Sequence, residues 1–152
     1  MANMEMTIDS IRLSEMNDQR VLILKEKDRD RYLPIWIGPA EGDAIAITLN
    51  KVSVSRPLTH DLACAAIDAL GGRVESVVIY GLENETFHAK MVIRSKEWQK
   101  EIECRPSDGM AIAVRAGAPI LADAEVLDRA GVAMGSAGES SGPPPEGMSD
   151  EQ

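Results

Sequence analysis

Apolar residues recur along this chain with two different periods, which predict strands and helices. Strands are predicted where apolar side chains alternate with polar ones, or form a short apolar run bounded by turn residues. The segments with this pattern are 4–13, 21–24, 33–37, 74–79, 86–93, 98–104 and 118–121. Pro34 cannot donate a hydrogen bond to a neighbouring strand, so the third strand is expected to start late or to lie at a sheet edge there.

Helices are predicted where apolar residues follow the helical period and where capping residues precede them. These segments are 39–50, 60–70, 106–115 and 124–129. The first helix has little polar surface, so we expect it to be well buried. The second has one apolar face (Leu62, Ala63, Ala66, Ile67 and Leu70), and Thr59 is its predicted N-cap.

A short internal repeat relates residues 38–47 to residues 105–114. Pro39, Gly42, Ala44, Ile45 and Ala46 recur as Pro106, Gly109, Ala111, Ile112 and Ala113. Each copy follows a strand and opens a helix, because Pro is favoured in a first helical turn. The repeat therefore predicts an α+β domain in which two copies of a hairpin-strand-helix unit flank an extra helix, with mixed or antiparallel sheets packed on helices.

Length and composition are those of one globular domain followed by a tail. A chain of 152 residues can bury a core, and with 3% aromatic residues this core must be aliphatic. From Met134 the sequence is Gly, Ser, Pro and acidic residues, which cannot bury enough apolar surface to fold. We therefore expect a folded domain over 1–131 and a disordered tail over 132–152.

Charge, cysteine content and hydropathy exclude several classes of protein. A net charge of −9 argues against a non-specific nucleic-acid coat, so any nucleic-acid binding would need a local basic patch or bridging cations. Cys64 and Cys104 are too few for a disulfide framework. No stretch approaches the length of a membrane span, and residues 1–9 do not resemble a signal peptide. We expect a cytoplasmic protein that does not contact a membrane.

The candidate chemistry lies at three predicted helix starts. Glu41, Asp61 and Asp108 each fall in a first helical turn, and His60 precedes Asp61. Carboxylates are the preferred ligands of Mg²⁺, and histidine can transfer protons near neutral pH. The same acids could instead offset the helix dipole, and His60 could be a helix-cap residue that packs against a strand.

Two arginines precede these helix starts. Arg56 and Arg105 are each followed by Pro, and a guanidinium beside a helix N-terminus is typical of a phosphate site. The alternative is that they form structural ion pairs with the nearby acids. Ser107 is predicted to be an N-cap and not a nucleophile, because no glycine-flanked elbow surrounds it.

Four motifs in this order resemble the bifunctional nuclease domain family. They are residues 33–41, 56–62, 86–89 and 105–108, and the resemblance covers about residues 8–130. It implies an α+β domain, a homo-oligomer with a dimer favoured, and RNase and DNase activity. The polar positions that match the motifs are Glu41, Arg56, Thr59, His60, Asp61, Arg105, Ser107 and Asp108.

The resemblance and the candidate residues together predict a nuclease that hydrolyses phosphodiester bonds in RNA, DNA or both. In this interpretation Mg²⁺ or Mn²⁺ assists, held by Glu41, Asp61 and Asp108. His60 transfers protons, which makes these four residues the catalytic set, and the phosphate-binding residues are Arg56, Arg105, Thr59 and Ser107. The alternative is a non-catalytic, oligomeric regulatory domain in which the polar motifs cap helices and tie the two halves together.

Overall fold

A computed structural model of the chain describes residues 2–14 and 18–133, which form an α+β fold. The strands in these residues are β1 Asn3–Leu13, β2 Arg20–Glu26, β3 Arg31–Ile37, β4 Arg73–Glu83, β5 Thr86–Arg94, β6 Gln99–Cys104, β7 Ile120–Asp123 and β8 Val132–Ala133. The helices are α1 Pro39–Leu49, α2 Thr59–Ala69, α3 Pro106–Ala116 and α4 Ala124–Ala130. The predicted fold class is confirmed.

The described strands form one mixed sheet with the order β6-β5-β4-β7-β1-β2-β3-β8. Neighbouring strands are antiparallel except β4 and β7, which run parallel. β8 pairs only with Arg31 and Tyr32 of β3. On that side of β3 no strand of the described residues reaches Pro34, so β3 is an edge strand there. This agrees with the expectation from its missing N–H group.

The arrangement is compatible with the predicted duplication. Each half of the sheet holds a three-stranded antiparallel unit, β1-β2-β3 or β4-β5-β6, and each unit is followed by a helix that begins with proline. These helices, α1 and α3, pack against each other, and α2 packs on α3. The two copies of the sequence repeat are therefore neighbours in space.

The main core is aliphatic, as the composition requires. Alternate residues of the central strands, such as Leu22 and Leu24, join it together with Ile45 of α1 and Met110 of α3. The residues between them in β2, such as Val21, face a separate small cluster that contains Tyr32 and Trp36. This period of two is the pattern that predicted the strands.

The burial predicted for α1 is wrong in part, and the apolar face predicted for α2 is largely exposed. Gly42 and Ile45 are the buried residues of α1, and Leu49 is 44% exposed. No residue of α2 is buried, and Leu62 and Leu70 on its predicted apolar face are 64% and 80% exposed. Periodicity shows that a helix face is apolar, but it does not show that another element covers it.

Two predicted helix caps are also wrong. Leu58 occupies the N-cap position of α2, and its N–H donates to Asp61 Oδ2 at 2.8 Å, so Thr59 is the first helical residue. Arg105 occupies the N-cap position of α3, which places Ser107 inside the first turn, where it is fully buried. Ser107 is not the cap of α3 because Pro106 takes the first helical position.

The boundary at 131 between the folded domain and the tail stays a prediction. Val132 and Ala133, the first two residues of the predicted tail, pair with β3 as β8. The rest of the predicted tail, 134–152, lies outside the described residues. Cys64 and Cys104 are both free thiols, as expected for a chain without a disulfide framework.

Candidate active site at the helix N-termini

The N-terminal ends of α1, α2 and α3 meet at one open cleft of about 410 Å³. The residues that line it are Ala40, Glu41, Asp43, Ala44, Ile47, Leu58, Thr59, His60, Arg105 and Asp108. Unpaired backbone N–H groups give a helix N-terminus a partial positive charge that favours anions. The repeat explains this geometry, since it places one carboxylate in the first turn of both α1 and α3.

Arg105 connects the carboxylates of the two repeat copies. Its Nε donates to Asp108 Oδ2 at 2.8 Å, and its Nη2 donates to Glu41 Oε2 at 3.2 Å. The Arg105 side chain is 47% exposed, and those of Asp108 and Glu41 are 30% and 23% exposed. The guanidinium is therefore shared by two acids but still faces solvent in the cleft.

His60 contacts the same carboxylate from the other side. Its Nε2 lies 2.9 Å from Asp108 Oδ1, and its side chain is only 13% exposed. An ionised carboxylate can only accept a hydrogen bond, so Nε2 carries the hydrogen in this contact. In a neutral ring Nδ1 is then the acceptor, and within residues 2–14 and 18–133 it has no hydrogen-bond partner.

The charges around Asp108 keep it ionised. Burial raises the pKa of Asp108. The hydrogen bonds and positive charges of Arg105 and His60 lower this pKa by more, so the net shift is downward. The hydrogen bond to Asp108 likewise raises the pKa of Arg105. At neutral pH the imidazole of His60 therefore lies beside a carboxylate anion that fixes its orientation.

Asp61, predicted to act with His60, faces away from the cleft. Its Oδ1 accepts from Arg115 Nε at 2.7 Å, and its Oδ2 accepts from the N–H of Leu58. The Leu58 hydrogen bond, followed by that from Arg115, lowers the pKa of Asp61. Successive residues of a helix point about 100° apart, so His60 and Asp61 face different surroundings.

Arg115, which binds Asp61, is a residue near the cleft that the sequence patterns do not identify. Its side chain is 7% exposed and also donates to the carbonyl oxygens of Ala111 and Ala44, so it ties α2 to both α1 and α3. A basic residue in the last turn of a helix usually indicates only dipole compensation. Nothing in the chain order signals its partner, which lies 54 residues earlier.

The other predicted phosphate-binding residues are dispersed. Thr59 lines the cleft beside His60. Arg56 is exposed in the loop before α2 and does not line the cleft. Ser107 is fully buried in α3, and its hydroxyl has no hydrogen-bond partner in the described part of the chain. Of the predicted phosphate-binding set, the structure places Arg105 and Thr59 at the cleft.

The predicted metal ligands do not form a metal site in this arrangement. Glu41 and Asp108 both face a guanidinium, and Asp61 pairs with Arg115. The described ranges contain no group of three or more His, Cys, Asp or Glu side chains placed to hold a metal ion. Dependence on Mg²⁺ or Mn²⁺ stays a prediction.

Comparison with known families identifies the family of this chain. The sequence profile described as the bifunctional nuclease domain matches residues 22–135, a span that holds α1, α2 and α3 with all the cleft residues. The chain belongs to the bifunctional nuclease domain family. The family predicted from the four sequence motifs is thus confirmed.

Two curated relatives of this bifunctional nuclease domain protein come from Mycobacterium tuberculosis. They are the uncharacterized protein MT1877 of strain CDC 1551 / Oshkosh and the uncharacterized protein Rv1829 of strain ATCC 25618 / H37Rv. Each is 42% identical over 128 residues, which cover 84% of this chain and 76% of the relative. Neither name states an activity.

None of the helices in residues 2–14 and 18–133 combines the length and the apolar character needed to cross a bilayer.

Proposed function

We propose that this protein hydrolyses phosphodiester bonds in RNA, DNA or both, and that the reaction takes place in the cleft at the helix N-termini. The observation that supports this most is the contact between His60 and Asp108, 2.9 Å, beside the solvent-facing guanidinium of Arg105. A proton-transfer group and a phosphate-binding group thus share one cleft, in a chain of the bifunctional nuclease domain family.

In the proposed reaction His60 acts as the general base. Asp108 holds the Nε2–H, so Nδ1 accepts the proton of a water molecule while the water oxygen attacks phosphorus. The bond between phosphorus and the leaving oxygen breaks, and the protonated ring returns its proton to that oxygen. Removal of such a group typically costs about 10²- to 10⁴-fold in rate.

Arg105 is the proposed phosphate ligand. Its guanidinium is exposed enough to meet a substrate, and a planar guanidinium can bind two phosphate oxygens at once. A bound phosphate would compete for Nη2 with Glu41 and with Asp108 Oδ1, which accepts from it at 3.3 Å, while the contact between Nε and Asp108 Oδ2 would hold the side chain in place. Glu41 thus occupies the anion position when substrate is absent.

Cleavage of labelled single-stranded RNA and DNA by purified protein tests this function. We expect His60→Ala and Arg105→Gln to lose activity at least about 100-fold. The matched control is His88→Ala, because His88 also contacts a carboxylate, Glu103, at 3.2 Å, but lies on β5 and does not line the cleft. Arms with EDTA, Mg²⁺ and Mn²⁺ measure the predicted metal dependence. Equal cleavage by wild type, His60→Ala and His88→Ala would identify a contaminating nuclease and refute the proposal.

The second candidate function is a non-catalytic, oligomeric regulatory domain. The observation that favours it is the exposed apolar face of α2, with Leu62 and Leu70, since helix faces of this kind often form protein interfaces. Sedimentation equilibrium of wild type and of Leu62→Gln/Leu70→Gln tests it. A wild-type dimer that becomes monomeric in the double variant supports this role, and a wild-type monomer refutes it.

A further inference from the structure

The cleft at the helix N-termini is not basic enough to hold a polyanion by charge alone. Among the residues that line it, Glu41, Asp43 and Asp108 outnumber the one cation, Arg105. Arg20 pairs with Asp43 at 3.5 Å, and the whole protein carries a net charge of −9. Nucleic-acid affinity depends mainly on contacts between cations and phosphates. A strand bound at this cleft therefore needs cationic contacts elsewhere on the protein.

Such cations are concentrated at the opposite end of α2. A second open cleft of about 450 Å³ lies there, and three of its lining residues are Arg73, Arg94 and Lys96. Its remaining lining residues are Asp68, Gly71, Gly72 and Ser95. We refer to Arg73, Arg94, Lys96 and the adjacent Trp98 as the basic–aromatic cluster.

The two arginines of the cluster, Arg73 and Arg94, lie close enough for their charges to repel. Arg73 on β4 and Arg94 on β5 are directly opposite each other in the antiparallel ladder, where like charges repel. Glu75 partly offsets this, since Arg94 Nε donates to its Oε2 at 2.8 Å. That hydrogen bond, and to a smaller extent the charge of Arg73, lowers the pKa of Glu75. The carboxylate of Glu75 thus offsets part of the positive charge of both Arg94 and Arg73.

Arg73 and Lys96 are the cations of the cluster that have no direct partner. Within the parts of the chain that are described, neither forms an ion pair or a side-chain hydrogen bond, and both are exposed. Ser95 organises the turn that carries Lys96, because its hydroxyl accepts from the N–H groups of Glu97 and Trp98 at 3.1 and 3.2 Å. Lys96 and Trp98 therefore belong to the same turn, and Arg73 follows Gly72, which lies against the Trp98 ring.

Trp98 gives this region an aromatic surface. Its ring is 37% exposed, whereas Trp36 is 6% exposed and packs in the small cluster. The ring lies against the turn at Gly72, where an added Cβ would be 3.1 Å from Cη2, and Lys100 Nζ lies 5.9 Å from the ring centroid. Exposed aromatic rings among cations are typical of sites that stack single-stranded bases.

We propose that the basic–aromatic cluster binds a single-stranded polynucleotide, with phosphates on Arg73 and Lys96 and a base stacked on Trp98. In this arrangement, which rests on the proposed nuclease function, the strand runs along α2 to the cleft at His60. An 11-residue helix is about 16 Å long. About five nucleotides span this length at the stacked spacing of about 3.4 Å each, and an extended strand needs fewer. The cluster therefore acts as the docking site and the cleft as the cutting site.

A binding assay separates this proposal from a structural role of the cations, such as offsetting the dipole of α2. The protein is the full chain with His60→Ala, so that the probe stays intact, and the probe is a single-stranded ten-nucleotide oligothymidine. We expect it to quench Trp98 fluorescence, and Trp98→Phe should abolish this signal because Trp36 is buried.

The decisive variant is Arg73→Gln/Lys96→Gln, and its control is Arg12→Gln/Lys27→Gln, which removes the same charge from β1 and the turn after β2. We expect the first pair to weaken binding at least about tenfold and the control less than about twofold. The slope of log affinity against log salt should become less steep by about 1.4, for two lost phosphate contacts.

Four results would each overturn the docking site. The first two are equal affinity of the two double variants and unchanged Trp98 emission at saturation. The others are full displacement of the probe by an equimolar amount of inorganic phosphate and tighter binding of a ten-base-pair duplex. Failure of the proposed nuclease function is a separate result. In that case wild type binds the probe through the cluster but does not cleave it.

Discussion

His60 Nε2 lies 2.9 Å from Asp108 Oδ1, and this contact joins α2 to α3 across 48 positions of the sequence. The same carboxylate accepts from Arg105, so one acid orients both the proposed base and the proposed phosphate ligand. The geometry assigns Asp108 a positioning role for two other residues. The predictions below separate that role from general stability.

Arg115 is expected to be the main polar tie among the three helices. Arg115→Met removes its hydrogen bonds to Asp61, Ala111 and Ala44, and leaves polar groups partly buried. We expect a loss of about 2–3 kcal/mol in the free energy of unfolding, because Asp61 remains partly solvated. Urea unfolding measures this loss.

The control for Arg115 is Lys90→Gln, which breaks the ion pair of Lys90 with Glu101. This pair is exposed, and we expect its loss to cost less than about 1 kcal/mol. A cost for Arg115→Met no larger than that of Lys90→Gln would show that Arg115 does not hold the helices together.

Both glycines of the sequence repeat are expected to resist replacement by alanine. A Cβ at Gly109 would lie 2.7 Å from Cγ1 of the buried Val77, so Gly109→Ala should destabilise by about 1–3 kcal/mol. A Cβ at Gly42 would lie 2.6 Å from Arg20 Cγ and 3.0 Å from Arg20 Cβ, and the Cβ cannot move unless the backbone of β2 moves with it. Gly42→Ala should therefore also destabilise by about 1–3 kcal/mol, because the better helix propensity of alanine offsets less than this strain. Thermal or urea unfolding that shows either variant to be as stable as wild type would contradict this packing.

Acid is expected to destabilise the fold through Asp61 and Asp108. The pKa of each is lowered in the folded protein, to below the ordinary value of 3.8. A lowered folded-state pKa gives stability that is fully present above the unfolded value and is lost as pH falls through the folded value. The loss should therefore begin near pH 4 and continue below it.

Urea unfolding of wild type and Asp61→Asn at pH 6 and pH 3 measures this effect. The variant cannot lose the interaction of an ionised Asp61, so its stability should change less between the two pH values than that of wild type. An equal or larger change in the variant would refute the assignment to Asp61.

The fold was predictable where local chemistry decides the structure. Pro39 and Pro106 mark the starts of α1 and α3 because proline suits a first helical turn. Most helix and strand positions were predictable as well, because the period of apolar residues is also a local property of the sequence.

The cleft was predictable only in part, because side-chain pairing depends on distant contacts. Glu41, His60, Arg105 and Asp108 converge as the helix starts suggested. Asp61 does not, since Arg115 and the Leu58 N–H hold it on another side of α2. The exposed face of α2 shows the same limit, because an apolar stripe does not reveal what covers it.

A double-mutant cycle on His60 and Asp108 tests the central claim most directly. The measurement is kcat/KM for cleavage of a labelled single-stranded oligonucleotide by wild type, His60→Ala, Asp108→Asn and the double variant. Because Asp108 positions His60 as well as Arg105, the two losses should overlap, and the double variant should lose clearly less activity than the product of the two single losses, with about 10²- to 10⁴-fold lost in His60→Ala. Losses that multiply in the double variant, or unchanged cleavage in both single variants, would contradict a shared catalytic unit.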